Sequence, residues 1–237
     1  MLMSVLIPCY NEGKTILGSY QKLKTQLNSL GIWHEIIFCN DASTDNTGYL
    51  LEKIAIKDKK VKVINYYPNK GIGFAFRQMC KVASGDILIH MEADLAMDPK
   101  VTLPLFLKEI ETADIVIGSR YAQIKPDFPL RRMIPSKIVL CLNKLLFSHG
   151  LKDTNSGFFA LKKEILGRIK LYSNDFGIYI ELVVKAKKCG FSLKEIPIKF
   201  THNTEHGEIS MLKHGPRILL DIARLWLNLK TDCNLTR

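Results

Sequence analysis

Apolar and polar positions along this chain alternate between two patterns. Short β-branched runs, "SVLIPCY", "EIIFCND", "VKVINY" and "DILIHMEAD", each precede a segment with helical spacing of apolar residues, near 13–30, 44–58, 71–84 and 99–112. A brief apolar run bounded by polar residues suits a buried strand, and a longer periodic segment suits a helix packed upon it. "ADIVIGSRY" adds a fifth strand. That rhythm predicts an α/β fold, a doubly wound and mostly parallel sheet with helices on both faces. Ligands in such sheets gather at the carboxyl ends of the strands. Here the strands end in Asn11 and Glu12, Asn40 and Asp41, Asn69 and Lys70, Glu92 and Asp94, and Ser119 and Arg120. Within "IHMEADLAMDP", Glu92 and Asp94 are spaced to share one edge of an extended chain, an unusual end for a buried strand.

Beyond residue 121 the pattern loosens. "AQIKPDFPLRRMIPSK" carries three prolines and several basic residues, which predicts a loop that follows the surface. "IVLCLNKLLF" suits a helix, either packed in the core or lying at a membrane interface. "YIELVVKAKKCG" suits a helix ending at Gly190, with the strand "SLKEIPIKF" after it. A last helix gathers Ile218, Leu219, Ile222, Leu225, Trp226 and Leu229 on one face, which favours packing over membrane contact. No internal repeat or low-complexity tract interrupts the chain, so one domain over residues 1–237 is expected.

Composition narrows the function. With 237 residues, 47% of them hydrophobic, the chain can bury a sizeable core. Its 34 Lys and Arg against 23 Asp and Glu leave a charge of +11, which favours an anionic partner. No zinc-finger spacing, RNP-like aromatic cluster or dense basic tract is present, so nucleic acid is not expected. The six cysteines (Cys9, Cys39, Cys80, Cys141, Cys189 and Cys233) form no CxxC and read as reduced thiols filling the core. "MLMSVLIPCYNE" reads as a first strand rather than a signal peptide, and no apolar stretch reaches the roughly 18–20 residues that span a bilayer. A soluble or peripheral protein is expected. "GIGFAF" at 71–76 only partly matches the dinucleotide fingerprint, since Phe76 fills its last position; its glycines suit a tight turn into a helix.

Seven motifs then occur in a telling order: "LIPCYNE", "CNDASTDNT", "NKGIGFAFRQ", "GDILIHMEADLAMDP", "GSRY", "DTNSGFFALKKEIL" and "EIPIKF". Over about residues 3–212 the chain resembles family 2 glycosyltransferases of the GT-A (Rossmann-like) fold, and within them the dolichol-phosphate mannose synthase and polyprenyl-phosphate hexose synthase branch. The resemblance implies a nucleotide-sugar-binding half over 1–120, an acceptor-binding half over 121–215 and a C-terminal amphipathic helix over 216–237. It implies that Pro8, Tyr10, Glu12, Asp41, Glu92, Ala93 and Asp94 bind the donor; Lys70, after Asn69 at another strand end, suits either a cation meeting the donor phosphate or an exposed lysine with no partner. Glu92 and Asp94 match the family's Asp-x-Asp metal site, for Mg2+ or Mn2+, with Asp94 a direct ligand. Such a cation counters the charge of a diphosphate and stabilises it as a leaving group. Glu92 stands where Asp is usual, and Ala96 where close relatives often carry Gln.

Ser43 and Asp45 suit either donor contact or a helix cap and turn. Arg120, Arg132 and Ser136 occupy the positions that hold a lipid phosphate in relatives, with Arg131 beside them; guanidinium forks suit that role. Asp94 and Asp153 are the implied catalytic acids, Asp153 as a base for a hydroxyl acceptor or as an orienting group for a phosphate acceptor. Glu181 is a recurring acid that also suits buttressing a basic neighbour. "THNTEHGEISML" departs from relatives, which commonly carry an Arg before the Gly; His206 is the nearest candidate there. The implied reaction is inverting transfer of a hexose from GDP-mannose or a UDP-hexose to a polyprenyl or dolichyl phosphate. It would occur peripherally at the cytoplasmic face of a membrane, with or without an anchoring subunit. Two alternatives are a family 2 transferase acting on a saccharide hydroxyl and a nucleotide-sugar-binding protein with little catalysis.

Overall fold

Strand β1 (Leu2–Cys9) is buried on both faces: Met3, Val5 and Ile7 enter one core layer and Leu6 the other. That period-two division belongs to a strand in the middle of a covered sheet. The computed structural model describes residues 2–119, 130–147, 150–154, 156–199 and 211–231. After β1 come α1 (Ile16–Ser29), β2 (Trp33–Asp41), α2 (Thr47–Lys57), β3 (Val61–Tyr66), α3 (Ile72–Val82), β4 (Ile87–His90), α4 (Pro99–Glu109) and β5 (Ile115–Ser119). The second half supplies α5 (Leu130–Phe147), β6 (Phe159–Lys162), α6 (Ile165–Arg168), α7 (Gly177–Lys188), β7 (Leu193–Pro197) and α8 (Met211–Thr231).

The strands form one seven-stranded sheet in the order β3-β2-β1-β4-β6-β5-β7. All neighbours pair in parallel except β6, which is antiparallel to both β4 and β5. Ile16 and Leu23 of α1, Leu51 of α2 and Phe106 of α4 cover one face; Phe76 of α3, Ile165 of α6 and Ile178 and Leu182 of α7 cover the other. The chain thus grows outward through α1 and α2, then returns over the opposite face through α3 to lay β4 beside β1. Such a reversal opens a crevice at the carboxyl ends of the two central strands. The α/β, doubly wound GT-A architecture expected from the sequence is the one observed.

Four local expectations change. β4 stops at His90, where it pairs with Leu6 and Phe159; Met91 N–H reaching the Leu6 carbonyl is the last rung, because β1 continues beside β2 while β6 only begins there. Glu92 and Asp94 therefore do not share an edge of extended chain. They sit in a turn closed by Leu95 N–H on the Glu92 carbonyl and Ala96 N–H on Asp94 Oδ1 at 3.0 Å, with Leu95 at φ 47°. Residues 130–137, expected to be loop, open α5: a proline removes one helical hydrogen bond without forbidding the helix, as Pro104 inside α4 also illustrates. "FALK", unread as an element, is the antiparallel β6. On α8, Ile218, Ile222 and Leu225 pack on Val139, Ile180 and Val184, whereas Leu219 and Trp226 are exposed, so the packed face is narrower than expected.

Five cysteines lie among the described residues and none is in a disulfide; Cys9 and Cys39 are buried while Cys141 is exposed. No helix of the described residues is long and apolar enough to cross a membrane.

Candidate active site

A cleft of about 790 Å³ opens where the carboxyl ends of β1, β2, β3 and β4 meet. All eight residues expected to take a donor line it: Pro8 near the end of β1, Tyr10 and Glu12 after it, Asp41 ending β2, Lys70 after β3, and Glu92, Ala93 and Asp94 after β4. Segment 172–176 and the α8 residues Arg217, Leu220, Asp221, Arg224 and Leu225 complete its walls.

Polar residues at the strand ends bind the loops to one another. Asn11, at φ 57°, receives the Thr44 N–H on Oδ1 at 2.8 Å and gives its own N–H to Ser43 Oγ at 2.9 Å. Asp45 accepts from Gly13 N–H at 2.9 Å and from Thr47 N–H at 3.0 Å, and Glu12 N–H reaches Thr47 Oγ1 at 2.8 Å. Ser43 and Asp45 thus lock the β1 loop onto the β2 loop, and neither lines the cleft. Asp41 does similar work while facing the cleft. Its two oxygens accept the N–H groups of Lys70 and Gly71 at 2.7 and 2.9 Å, fixing the loop after β3. A carboxylate has about four acceptor sites, so capacity remains for a ligand's donors. Lys70 carries its ammonium 4.6 Å from the Phe74 ring centroid, which orients the cation at the cleft wall.

The far wall was not legible as a site. Glu181 is buried and accepts N–H bonds from Tyr172 at 3.0 Å and Ser173 at 2.8 Å, while pairing with Lys185 at 2.8 Å. Arg77 of α3 donates to the Ser173 carbonyl and to Asn174 Oδ1. Gly73 N–H reaches the Asn174 carbonyl at 2.8 Å, and a Cβ on Gly71 or Gly73 would collide with that carbonyl or with that of Ser173. The paired glycines of "GIGFAF" thus serve a close backbone approach, with Gly71 also at φ 91°, and not a dinucleotide. Their spacing was the one available sign that a second segment docks there.

The other expected residues distribute as follows. Asp153 is buried, its N–H bound to Glu195 Oε1 at 2.7 Å, and it is not among the described residues lining the cleft. Arg132 and Ser136, like Arg131, belong to α5, but their side chains lie outside the described residues, as do Arg120 and the 203–210 segment with His206.

Among the described residues, seven carboxylates line the cleft, Glu12, Asp41, Glu92, Asp94, Asp175, Glu181 and Asp221, against four cations, Lys70, Lys185, Arg217 and Arg224. A chain of charge +11 therefore holds a locally negative pocket. Burial, reinforced by Asp175, pushes the Asp221 carboxyl above its ordinary range. An anionic ligand entering such a pocket needs an accompanying cation. Glu92 and Asp94 fit that need. Among the described residues no group of three or more His, Cys, Asp and Glu is arranged to hold a metal alone. A hard cation such as Mg2+ is commonly held by one or two carboxylates, with phosphate oxygens and water filling the remaining positions. Space is reserved for one of them: a Cβ on Gly157 would lie 2.8 Å from Glu92 Oε1.

Comparison with known proteins agrees with this geometry. Residues 4–170 match Glycosyl transferase family 2. The chain is 33% identical over 205 residues to a dolichol-phosphate mannosyltransferase of Pyrococcus furiosus, covering 84% of this chain and 56% of that protein. It is 30% identical over 214 residues to a polyprenol monophosphomannose synthase of Mycolicibacterium smegmatis, covering 83% and 76%. A glycosyltransferase of Haloferax volcanii matches 99% of this chain at 25% identity, so the chain spans 38% of that relative and about half of the Pyrococcus one. Among solved structures, glucosyl-3-phosphoglycerate synthase from Mycobacterium tuberculosis superposes with a TM-score of 0.72 at 20% identity, over 94% of this chain and 78% of that one. The same enzyme in complex with Mn2+, uridine-diphosphate and glucosyl-3-phosphoglycerate gives 0.70 at 18% identity, over 94% and 79%. Strand order, strand-end cleft and the match over most of its length make this chain a member of glycosyl transferase family 2.

Proposed function

We propose that the cleft binds a nucleotide-sugar with a divalent cation, and that the chain transfers the hexose, with inversion, to a polyprenyl phosphate. One observation carries this reading: four strand-end loops bring the eight expected donor residues onto a single acid-rich cleft. Glu92 and Asp94 hold the cation, either Mg2+ or Mn2+. When bound, it offsets the charge of the diphosphate and stabilises its departure. Pro8, Tyr10, Glu12 and Asp41 take the base and ribose, Ala93 lies against the donor, and Lys70 meets the diphosphate. An oxygen of the acceptor phosphate attacks C1 of the sugar from the face opposite the nucleotide. The new C1–O bond forms as the bond to the nucleoside diphosphate breaks.

That acceptor is already anionic, so no proton has to be removed. Asp153 then orients the acceptor side and Asp94 is the acid of the reacting centre. Arg120, Arg132 and Ser136 hold the acceptor phosphate through charge-assisted bonds. The names of the Pyrococcus and Mycolicibacterium relatives support a lipid-phosphate acceptor. A polyprenyl acceptor puts the enzyme at the cytoplasmic face of a membrane, attached peripherally or through a separate anchoring subunit.

Titration calorimetry with GDP-mannose, UDP-glucose and UDP-N-acetylglucosamine, each with and without Mn2+, tests the donor half. One donor is expected to bind in a Mn2+-dependent manner, at least about tenfold more weakly in Asp94→Ala, or ~1.4 kcal/mol. Binding of none of them overturns the proposal. Transfer only to a soluble saccharide, abolished by Asp153→Asn and spared by Arg132→Ala, replaces the lipid acceptor with a hydroxyl; donor binding without turnover on any acceptor assigns a binding protein.

A further inference from the structure

A second cleft, of about 1090 Å³, opens between α3, α6 and the start of β4, and neither Glu92 nor Asp94 lines it. Its floor is apolar, with Phe76, Ile87, Leu166 and Ile169. Its rim is basic. Arg77 and Lys81 stand one turn apart on α3, and Lys162, Lys163 and Lys170 join them from the β6–α6 side. Among its described lining residues, only Asp86 and Glu164 supply negative charge. Lys162 is engaged by Asp114 at 2.9 Å, but among the described residues no carboxylate pairs with Lys81, Lys163 or Lys170. The charge balance is thus the reverse of that in the first cleft, and the concentration of cations lies in a cavity with an apolar floor. Loose lysines on a convex surface would be solvated and bind nothing in particular.

We infer that this second cleft binds a phosphate-bearing amphiphile, its anionic head among Arg77, Lys81 and Lys170 and its organic portion over Leu166 and Leu171. Charge-assisted bonds to a phosphate suit a guanidinium with two ammonium groups beside it. The two clefts share a wall. Tyr172 lines both, and Arg77 holds the Ser173 carbonyl and the Asn174 side chain, which face the first cleft. A phosphate accepting from Arg77 competes with those two acceptors and loosens segment 172–174. Binding here stands on this cleft alone; an effect on catalysis rests on the proposed function.

Calorimetric titration with pyrophosphate and, separately, with dihexanoyl phosphatidic acid below its micellar concentration tests the site without any nucleotide. Saturable binding of at least one probe is expected, weakened at least tenfold in Lys81→Glu/Lys170→Glu and unchanged in Asp94→Ala. A preference for the lipid probe is expected from the apolar floor, and equal binding of the two probes overturns the organic half of the proposal. Hydrogen exchange at the Tyr172 and Ser173 amides should quicken on saturation. Absence of saturable binding overturns the site, as does loss in Asp94→Ala with the lysine variant unaffected, which puts the phosphate in the first cleft. Unchanged exchange at saturation overturns the coupling. Because no donor is present, these outcomes are independent of whether a nucleotide-sugar binds.

Discussion

His90 ends β4 fully buried, stacked on Phe159 with ring centroids 5.0 Å apart and edge-on to Phe76 and Tyr179. Its Nδ1 donates to the Gly157 carbonyl at 2.5 Å, and Nε2 has no hydrogen-bond partner among the described residues. Burial pushes its pKa down to about 4. Unfolded, the imidazole titrates near the usual ~6.5, so between these values the unfolded chain binds a proton that the folded chain refuses. Stability is therefore lost as pH falls from about 6.5 to 4, by roughly 3 kcal/mol when complete. Asp114 acts lower: held to about 2 by Ser192 N–H and then Lys162, it stabilises above the usual carboxylate range and loses that contribution as pH falls through it. Urea unfolding of wild type at pH 7.5 and pH 5 should show the histidine contribution. His90→Phe should remove most of that difference; an undiminished difference in the variant refutes the assignment. Nothing in the sequence singled out His90, because its isolation depends on aromatic neighbours from α3, β6 and α7. The cleft-lining residues were legible for the opposite reason: a polar residue interrupting an apolar strand marks the strand's end, and a parallel sheet gathers such ends.

At the scale of elements, the 172–176 segment is held from both sides, by Glu181 on α7 and Arg77 on α3. Glu181 and Lys185 form a buried ion pair one helical turn apart, with both side chains 5% exposed. Breaking such a pair from one side strands the other charge and costs about 3–5 kcal/mol. Glu181→Gln is expected to lose stability on that scale in denaturant unfolding and to weaken donor binding through the displaced wall. Glu181→Gln/Lys185→Met should regain part of the stability and none of the donor affinity. Stability of the single variant within 1 kcal/mol of wild type counts against the clamp. The i,i+4 spacing of this pair was open to reading, but its target, the N–H groups of Tyr172 and Ser173, required the fold. Elements set by hydrophobic period were readable to within a few residues; β3 coincides with "VKVINY". Boundaries set by neighbours were not. β4 was read too long because its end depends on where β1 and β6 diverge, and β6 was overlooked because four residues carry too little periodicity.

For the whole molecule, charge and exposed apolar surface bear on the proposed membrane attachment. The chain carries +11 while the described lining of the first cleft is acidic, and the second cleft gathers five of the cations. Leu145 of α5 and Leu219, Leu220 and Leu227 of α8 are exposed. Cosedimentation with vesicles containing anionic lipid is expected at 50 mM salt and should fall severalfold at roughly 500 mM, where screening shortens to a few ångströms. Binding that ignores both salt and lipid charge argues against electrostatic attachment. The antiparallel strand carries a different consequence. β5 has only β6 and β7 as partners, and β4 meets β6 on its outer side, so later residues are woven through the middle of a sheet begun by earlier ones. A chain severed near residue 120 would yield two incomplete fragments, each carrying strands that the other must complete. If the two halves carry the proposed donor and acceptor specificities, these are not exchangeable modules, and a chimera joined near residue 120 must bring its own compatible β6.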